Sequence, residues 1–205
     1  MKHTRKIGLL GGTFDPPHLG HSIMALDALE AAELDQVMFL PAAVPPHKRD
    51  RVLTEAGDRL AMLNLAVAGQ TGFLVSDLEF QRGGVSYTID TIRQLREMHP
   101  EVTWAWIIGA DTLPELHTWK EIDQLLDLCE LLTVYRPGVD STTREPSSLR
   151  LSSSSAEKAT RHWIQGHGIG ISSTDIRARV RKGLPIDSLV NPAVAAYIEE
   201  HHLYR

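Results

Sequence analysis

Short apolar runs alternate with longer segments of helical period along most of this 205-residue chain. A strand that is followed by a helix and then by another strand pairs in parallel, and the helices cover both faces of the sheet. The pattern therefore predicts an α/β fold with a Rossmann-like, doubly wound parallel sheet. Ligands of such sheets bind beyond the carboxyl ends of the strands, so site residues are expected in the loops that follow strands. The predicted strands are Lys6–Leu10, Gln36–Leu40, Phe73–Ser76, Thr103–Ile108 and Leu131–Tyr135.

Helix signals occupy the segments between these strands. Leu19, Ile23, Leu26 and Leu29 recur at helical steps and predict the apolar face of a first helix. The other predicted helices run from a Thr54 cap to about Ala68, from Ser86 or Thr88 to before Pro100, over Trp119–Leu128, from a Ser173 or Thr174 cap to Lys182, and from Asn191 to about His201. The Ser/Thr-rich stretch at about 138–168 predicts an exposed, mobile connector with a short helix near Lys158–Ile164.

Length and composition narrow the class of protein. A chain of 205 residues fits one domain, so a single domain over residues 1–205 is predicted. The formal net charge of -5 argues against a nucleic-acid binder, and Cys129 is the only cysteine, which rules out an intramolecular disulfide. No window reaches the roughly 20 apolar residues that would span a bilayer. We therefore expect a cytoplasmic protein with no membrane partner.

The segment Gly11–His21, G-G-T-F-D-P-P-H-L-G-H, leaves the first strand and enters the first helix. Glycines let the backbone approach a ligand closely, and the free N–H groups of a helix start suit a phosphate. His18 and His21 lie three residues apart, so both can donate to phosphate oxygens from one face. Neither a P-loop nor a G-x-G-x-x-G fingerprint is present. Surface histidines beside an ordinary turn, or a hydrolase metal site that includes Asp15, are the alternatives.

The segment Ile171–Arg177, I-S-S-T-D-I-R, offers a second phosphate site. Its hydroxyls and N–H groups stand at a predicted helix start, and Arg177 follows about one turn later. A polyphosphate laid across this end would meet donors, the helix dipole and a guanidinium together. The alternative is an ordinary Ser/Thr cap with a solvated arginine.

The two segments resemble the H-x-G-H and I-S-S-T-x-I-R motifs of the nucleotidylyltransferase superfamily, about 150 residues apart and in family order. The resemblance implies that His18 and His21, together with Arg177, stabilise the transition state at the α-phosphorus of ATP. It also implies Mg²⁺ carried with ATP and few metal ligands from the protein. The implied ATP-binding positions are Gly11, Gly12, Thr13, Phe14, Gly20, Asp111, Ser172, Ser173 and Thr174.

Three further stretches resemble bacterial nicotinate-nucleotide adenylyltransferases: V-P-P-H-K from Val44, S-Y-T-I-D-T-I from Ser86, and I-I-G-A-D-T-L-P-E-L-H-T-W-K from Ile107. That family implies transfer of AMP from ATP to nicotinic acid mononucleotide, with pyrophosphate released, in NAD biosynthesis. The expected acceptor-binding residues are His47, Lys48, Tyr87, Thr88, Trp119 and Arg136.

Physical chemistry assigns a role to each part of the acceptor. Trp119 can stack on the cationic pyridinium ring, and the N–H groups near Tyr87 and Thr88 can take its carboxylate. His47, Lys48 and Arg136 can meet the acceptor phosphate. Packing and solvated roles are the alternatives at each position.

Two other functions stay open at this point. One is the same transfer to nicotinamide mononucleotide or another phosphate monoester, and the other is a non-catalytic nucleotide sensor, against which the intact histidine pair argues. A homo-oligomer is left open.

Overall fold

A six-stranded parallel sheet organises residues 4–46 and 52–205, the part of the chain that this computed structural model describes. The strand order is β3-β2-β1-β4-β5-β6, the arrangement of a doubly wound Rossmann-like sheet. The fold class predicted from the sequence is therefore confirmed. The strands are β1 (Lys6–Gly12), β2 (Gln36–Pro41), β3 (Phe73–Val75), β4 (Thr103–Gly109), β5 (Glu130–Val134) and β6 (His162–Ile164).

Helices follow the strands and cover both faces of the sheet. They are α1 (Leu19–Ala31), α2 (Ala56–Val67), α3 (Leu78–Arg82), α4 (Thr88–Met98), α5 (Ile122–Leu128), α6 (Ser153–Thr160), α7 (Ser173–Arg181) and α8 (Pro192–Glu200). Three 3₁₀ helices lie wholly within the described residues, at Ala110–Thr118, Ser141–Arg144 and Pro146–Ser148. None of the helices in residues 4–46 and 52–205 is long and apolar enough to cross a membrane.

Strand β4 shows why the sheet is buried on both sides. Trp104, Trp106 and Ile108 pack in one core layer, whereas Ala105 and Ile107 pack in the other. Side chains alternate between the faces of a strand, so an unbroken apolar run fits a central strand covered by helices on both sides. The sheet continues from β1 in opposite directions, to β2 and to β4. A crevice therefore opens where the carboxyl ends of β1 and β4 lie together.

Helix α1 buries a different face from the one predicted. Its most buried apolar residues are Met24, Ala25 and Ala28, whereas Leu26 keeps 39% of its surface exposed. Alanines let the helix axis approach the sheet closely, and of the predicted face Leu29 packs partly buried against this core layer. The helical spacing of Leu19, Ile23, Leu26 and Leu29 was therefore an incomplete guide to the core face of this helix.

The Ser/Thr-rich stretch also differs from its prediction. A helix was expected near Lys158–Ile164, but α6 ends at Thr160 and the next residues form β6, which pairs with β5. Strand β6 reads H-W-I and has no run of three apolar residues, unlike the equally short edge strand β3, F-L-V, so periodicity does not reveal it. The predicted Trp119–Leu128 helix is wrong in its first turn, because a 3₁₀ helix ends at Thr118 and α5 begins at Ile122.

Two predicted caps are wrong and one is confirmed. Helix α2 has Glu55 rather than Thr54 at its N-cap. Ser172, one residue before the predicted Ser173 or Thr174, caps α7, and its Oγ accepts the Asp175 N–H at 3.1 Å. Asn191 caps α8 as expected, with its side chain accepting the Ala193 N–H at 2.9 Å.

Candidate active site

A cleft with two lobes opens at the carboxyl ends of β1 and β4. The first, here called the hydroxyl lobe, has a volume of about 490 Å³, and its lining includes Thr13, Asp15, His18, His21, Thr54, Arg136, Ser172, Ser173, Thr174, Arg177 and Tyr204. The second, here called the aromatic lobe, has a volume of about 520 Å³, and its lining includes Gly11, Gly12, Thr13, His21, Glu79, Tyr87, Thr88, Trp106, Asp111, Trp119, Lys120 and Arg136. Thr13, His21 and Arg136 line both lobes and mark their junction.

The two histidines of the first motif stack on each other at this junction. Their ring centroids lie 3.6 Å apart, and the His18 backbone N–H donates to His21 Nδ1 at 3.1 Å. A nitrogen that accepts a hydrogen bond carries no proton, so neutral His21 holds its proton on Nε2. His21 therefore keeps Nε2–H as its ring donor.

His18 is held in its neutral form. The residue is 4% exposed, and burial together with the Arg136 charge lowers its pKa from 6.5 to about 4. Its buried Nδ1 has no hydrogen-bond partner among residues 4–46 and 52–205. A buried polar atom without a partner is costly, and such atoms are found at catalytic positions.

Two glycines of the first motif are required by close approach of neighbouring rings. A Cβ atom at Gly20 would stand 3.1 Å from His18 Nδ1, so a larger residue would press on the buried imidazole. A Cβ atom at Gly11 would stand 2.5 Å from the Trp106 ring, which forms the floor of the aromatic lobe. These glycines give the side chains of the cleft their room, in addition to exposing the backbone.

The second motif is fastened directly to the first. Ser173 Oγ donates to the Pro16 carbonyl at 2.8 Å, and Arg177 Nη1 donates to the Asp15 carbonyl at 2.6 Å. Helix α7 is thereby docked on the turn between β1 and α1. The two motifs, which the sequence predicts to bind one nucleotide, are therefore in direct contact.

The aromatic lobe combines ring faces with two paired cations, Lys120 beside Asp90 and Arg136, whose Nη1 lies 3.6 Å from Asp111 Oδ2. Tyr87 is the N-cap residue of α4, and Lys120 Nζ stands 4.9 Å from the centroid of its ring. The same Nζ lies 3.0 Å from both carboxylate oxygens of Asp90. Trp119 is partly buried at the end of the 3₁₀ helix. Its backbone N–H donates to the Leu116 carbonyl at 3.0 Å.

The predicted site residues separate into four groups. The hydroxyl lobe is lined by His18, Ser172, Ser173, Thr174 and Arg177. The junction is lined by Thr13, His21 and Arg136. Tyr87, Thr88 and Trp119 line the aromatic lobe, and so do Gly11, Gly12 and Asp111, which were predicted for ATP. Phe14 and Gly20 are buried behind the cleft, where Phe14 packs edge-on against His21 at 4.9 Å. His47 and Lys48 lie outside the described residues.

Comparison with known proteins assigns the chain to a family. The cytidylyltransferase-like family matches residues 9–179. A probable nicotinate-nucleotide adenylyltransferase of Geobacillus thermodenitrificans is 45% identical over 97% of this chain and 86% of that protein. One from Opitutus terrae is 43% identical over 98% of both chains. The chain belongs to the nicotinate-nucleotide adenylyltransferase family.

The fold of this family member has solved counterparts. A Plasmodium falciparum nicotinic acid mononucleotide adenylyltransferase complexed with NaAD matches 98% of this chain and 97% of its own, with a TM-score of 0.75. Its sequence identity is 19%, so the match supports the fold. The described part of the adenylyltransferase-family chain contains no group of three His, Cys, Asp or Glu that could hold a metal ion.

Sequence reasoning missed Arg59, a buried residue that supports the site from behind. Its Nη1 donates to the carbonyls of Thr13, at 3.0 Å, and Ala42, at 2.7 Å. Its Nε donates to the Thr54 carbonyl at 3.0 Å, and the residue is 2% exposed. Arg59 therefore ties the loop after β1 to the loop after β2. The only signal in the sequence is one charged residue on an otherwise apolar helix face.

Proposed function

We propose that this chain transfers the AMP part of ATP to nicotinic acid mononucleotide, forming nicotinic acid adenine dinucleotide and pyrophosphate in NAD biosynthesis. One observation carries the proposal: a polar lobe suited to a polyphosphate meets an aromatic lobe suited to a pyridinium ring, at Thr13, His21 and Arg136. The reacting phosphates would meet at that junction. The relatives' names support the same acceptor.

The reaction needs positioning more than a protein nucleophile. A phosphate oxygen of the acceptor attacks the α-phosphorus of ATP, and the bond from that phosphorus to the β-phosphate bridging oxygen breaks. Pyrophosphate leaves with the electron pair. Because the acceptor phosphate is already ionised, catalysis consists of holding the two reactants in line and stabilising the added charge.

Donors for that charge stand at the junction. His21 presents its Nε2–H, and His18 is buried beside it with a polar atom that lacks a partner in the described structure. We propose that both rings donate to the α-phosphate as negative charge develops. Arg136, which lines both lobes, would neutralise the acceptor phosphate, and His47 and Lys48 remain predicted for the same task.

ATP would lie along the hydroxyl lobe and cross the junction. Ser172, Ser173 and Thr174 place hydroxyls and N–H groups at the start of α7, and Arg177 adds a guanidinium. A nucleotide that spans the junction at Thr13 also reaches Gly11, Gly12 and Asp111 in the aromatic lobe. Phe14 would act through His21, against which its ring packs, and Gly20 would act by leaving room for the His18 ring.

The acceptor base would occupy the aromatic lobe. Trp119 would stack on the pyridinium ring, a contact worth roughly 0.5–2 kcal/mol. The N–H groups at the start of α4, near Tyr87 and Thr88, would receive the carboxylate, and an amide there would lose the charge-assisted part of that interaction.

Divalent metal is proposed to enter with ATP. The hydroxyl lobe presents hydroxyls, imidazoles and guanidiniums rather than several carboxylates, which fits an ion held by phosphate oxygens and water. We propose Mg²⁺, which would lower the charge repulsion between ATP and the acceptor phosphate. The cytoplasmic location, the single-domain organisation and a homo-oligomer stay predictions from the sequence.

A product assay tests the proposal. Purified protein with ATP and Mg²⁺ should release pyrophosphate and form nicotinic acid adenine dinucleotide when nicotinic acid mononucleotide is added. We expect kcat/KM to favour the acid over nicotinamide mononucleotide by at least about tenfold, which corresponds to about 1.4 kcal/mol. Equal use of the two acceptors would remove the carboxylate site near Tyr87 and Thr88. Turnover with neither acceptor would contradict the proposed function itself.

A further inference from the structure

Tyr204, far along the chain from both motifs, lines the hydroxyl lobe. It follows α8 in a segment that turns back toward the cleft, with the Leu203 N–H donating to the Ile198 carbonyl at 3.0 Å. The backbone of Tyr204 has a φ of 64°, a left-handed conformation that a side-chain-bearing residue adopts at a cost. Such a conformation persists where surrounding contacts enforce it.

A hydrogen bond joins this tyrosine to the turn that carries the histidines. The Tyr204 hydroxyl donates to Asp15 Oδ1 at 2.7 Å, and Asp15 is 5% exposed. The carbonyl of the same Asp15 accepts from Arg177 Nη1 at 2.6 Å. Burial raises the pKa of Tyr204 above its usual value, so the hydroxyl keeps its proton and remains a donor.

Asp15 thus makes two separate hydrogen bonds, one through its side chain and one through its backbone. Its carboxylate is fastened to Tyr204 and its carbonyl to α7, while the chain runs on through Pro16 and Pro17 to His18. Loss of the tyrosine hydroxyl would leave a buried carboxylate short of a donor, and the turn would have to shift to bring it toward water. A shift of this turn changes the contact to Arg177 directly.

We infer that Tyr204 is a positioning residue for ATP, which through Asp15 fixes the turn on which His18 and Arg177 depend and with its ring closes one wall of the hydroxyl lobe. The inference rests on the proposed function only in taking ATP as the ligand of that lobe. Tyr204 does not line the aromatic lobe. Its influence therefore falls on the nucleotide and leaves acceptor affinity unchanged.

A second tyrosine supplies a matched control. Tyr197 lies on α8, and its hydroxyl donates to Asp58 Oδ1 at 2.9 Å. The bond has the same chemistry and nearly the same length as that of Tyr204, and Tyr197 lines neither lobe. Replacing either residue with phenylalanine removes one oxygen and one tyrosine–aspartate bond.

The experiment measures binding of α,β-methylene ATP by calorimetry to the wild type, Tyr204→Phe and Tyr197→Phe. We expect the Kd to rise about tenfold in Tyr204→Phe, which corresponds to about 1.4 kcal/mol, and to stay within about twofold of the wild type in Tyr197→Phe. The fitted stoichiometry gives the irreversibly unfolded fraction, and a thermal melt of each variant gives the reversibly unfolded fraction, by which the apparent Kd is corrected. Steady-state kinetics should show a higher KM for ATP and an unchanged KM for the acceptor in Tyr204→Phe.

Two results would overturn the inference. One is an unchanged Kd in Tyr204→Phe. The other is an equal rise in both variants, since that would reflect a general loss of rigidity. Because the binding measurement contains no acceptor, it is independent of whether nicotinic acid mononucleotide is the true substrate, and the product assay alone decides that question.

Discussion

The two lobes of the cleft are built by different means. The hydroxyl lobe joins segments that are far apart in the chain through individual hydrogen bonds, from Ser173 to Pro16, Arg177 to Asp15 and Tyr204 to Asp15. The aromatic lobe has its floor on the central strands, where Trp106 is a buried member of the main core. Its two charged pairs, Lys120 with Asp90 and Arg136 with Asp111, are solvent-accessible.

This difference predicts different responses to mutation. Single polar atoms fix the geometry of the hydroxyl lobe, so removing one should alter nucleotide handling sharply. Ring packing shapes the aromatic lobe, so truncation there should cost the contact itself and little more. Exposed ion pairs contribute little, which places the Lys120–Asp90 pair among the smaller terms.

The largest effect of a mutation on kcat is expected at the junction, whose residues line both lobes. His21→Ala should lower kcat by about 10²- to 10³-fold while binding of α,β-methylene ATP changes little, because the ring is proposed to act on transition-state charge. Single-turnover kinetics and calorimetry measure the two quantities. His99→Ala, at the end of α4 and outside both lobes, is the control. Near-normal turnover in His21→Ala would remove the histidine from the chemistry.

The next largest effect is a pH dependence of the unfolding free energy, caused by the buried His18 ring of the hydroxyl lobe. His18 has a pKa of about 4 in the folded chain against 6.5 ordinarily, so below pH 6.5 the unfolded chain takes up a proton that the folded chain refuses. The contribution of His18 to the free energy of unfolding is therefore fully present above pH 6.5. It is lost as the pH falls toward 4, by up to about 3 kcal/mol.

Urea unfolding of the wild type and His18→Asn between pH 7.5 and 4.5 tests this effect. The variant has no imidazole to protonate at this position. The unfolding free energy of the wild type should therefore fall more steeply with decreasing pH than that of the variant. Parallel curves would mean that His18 is not held neutral by burial.

A smaller effect should be confined to the hydroxyl lobe. Arg177→Ala should raise the KM for ATP about 30-fold, or about 2 kcal/mol, through loss of charge-assisted contacts to phosphate and of the bond to Asp15. Arg179, on the same helix, bonds to the Pro185 carbonyl and lines neither lobe, so Arg179→Ala is the matched control. A comparable change in the acceptor KM would contradict the separation of the lobes.

The smallest effect should be confined to the aromatic lobe. Trp119→Ala should lower kcat/KM by about tenfold for nicotinic acid and nicotinamide mononucleotides alike, because stacking acts on the shared ring. Trp163, in the edge strand β6, is outside both lobes, and Trp163→Ala controls for the loss of an indole. If only the acid were affected, Trp119 would sense the carboxyl group and the stacking role would be wrong.

Sequence patterns were sufficient wherever local signals and fold topology agreed. The five longer apolar runs became β1 to β5, and the segments Gly11–His21 and Ile171–Arg177 meet in one cleft as predicted. The parallel α/β arrangement explains this success, because it gathers the loops after strands at one edge of the sheet.

Other parts of the site depend on long-range contacts that leave no local pattern. Tyr204 reaches Asp15 across 189 residues, and Arg59 binds the Thr13 carbonyl across 46. Strand β6 has three residues and exists because β5 offers an edge to pair with. No periodicity or cap signal encodes such partners.

The hydrogen bonds that close the hydroxyl lobe also set the order in which parts of the chain can fold during synthesis. Ser173, Arg177 and Tyr204 bond to partners 157, 162 and 189 residues earlier. A ribosome therefore releases β1, α1 and most of the sheet long before their partners from α7 and beyond have left the exit tunnel. The nascent chain can pair its central strands while it is still growing, whereas its nucleotide site is assembled only after α7 and Tyr204 have emerged.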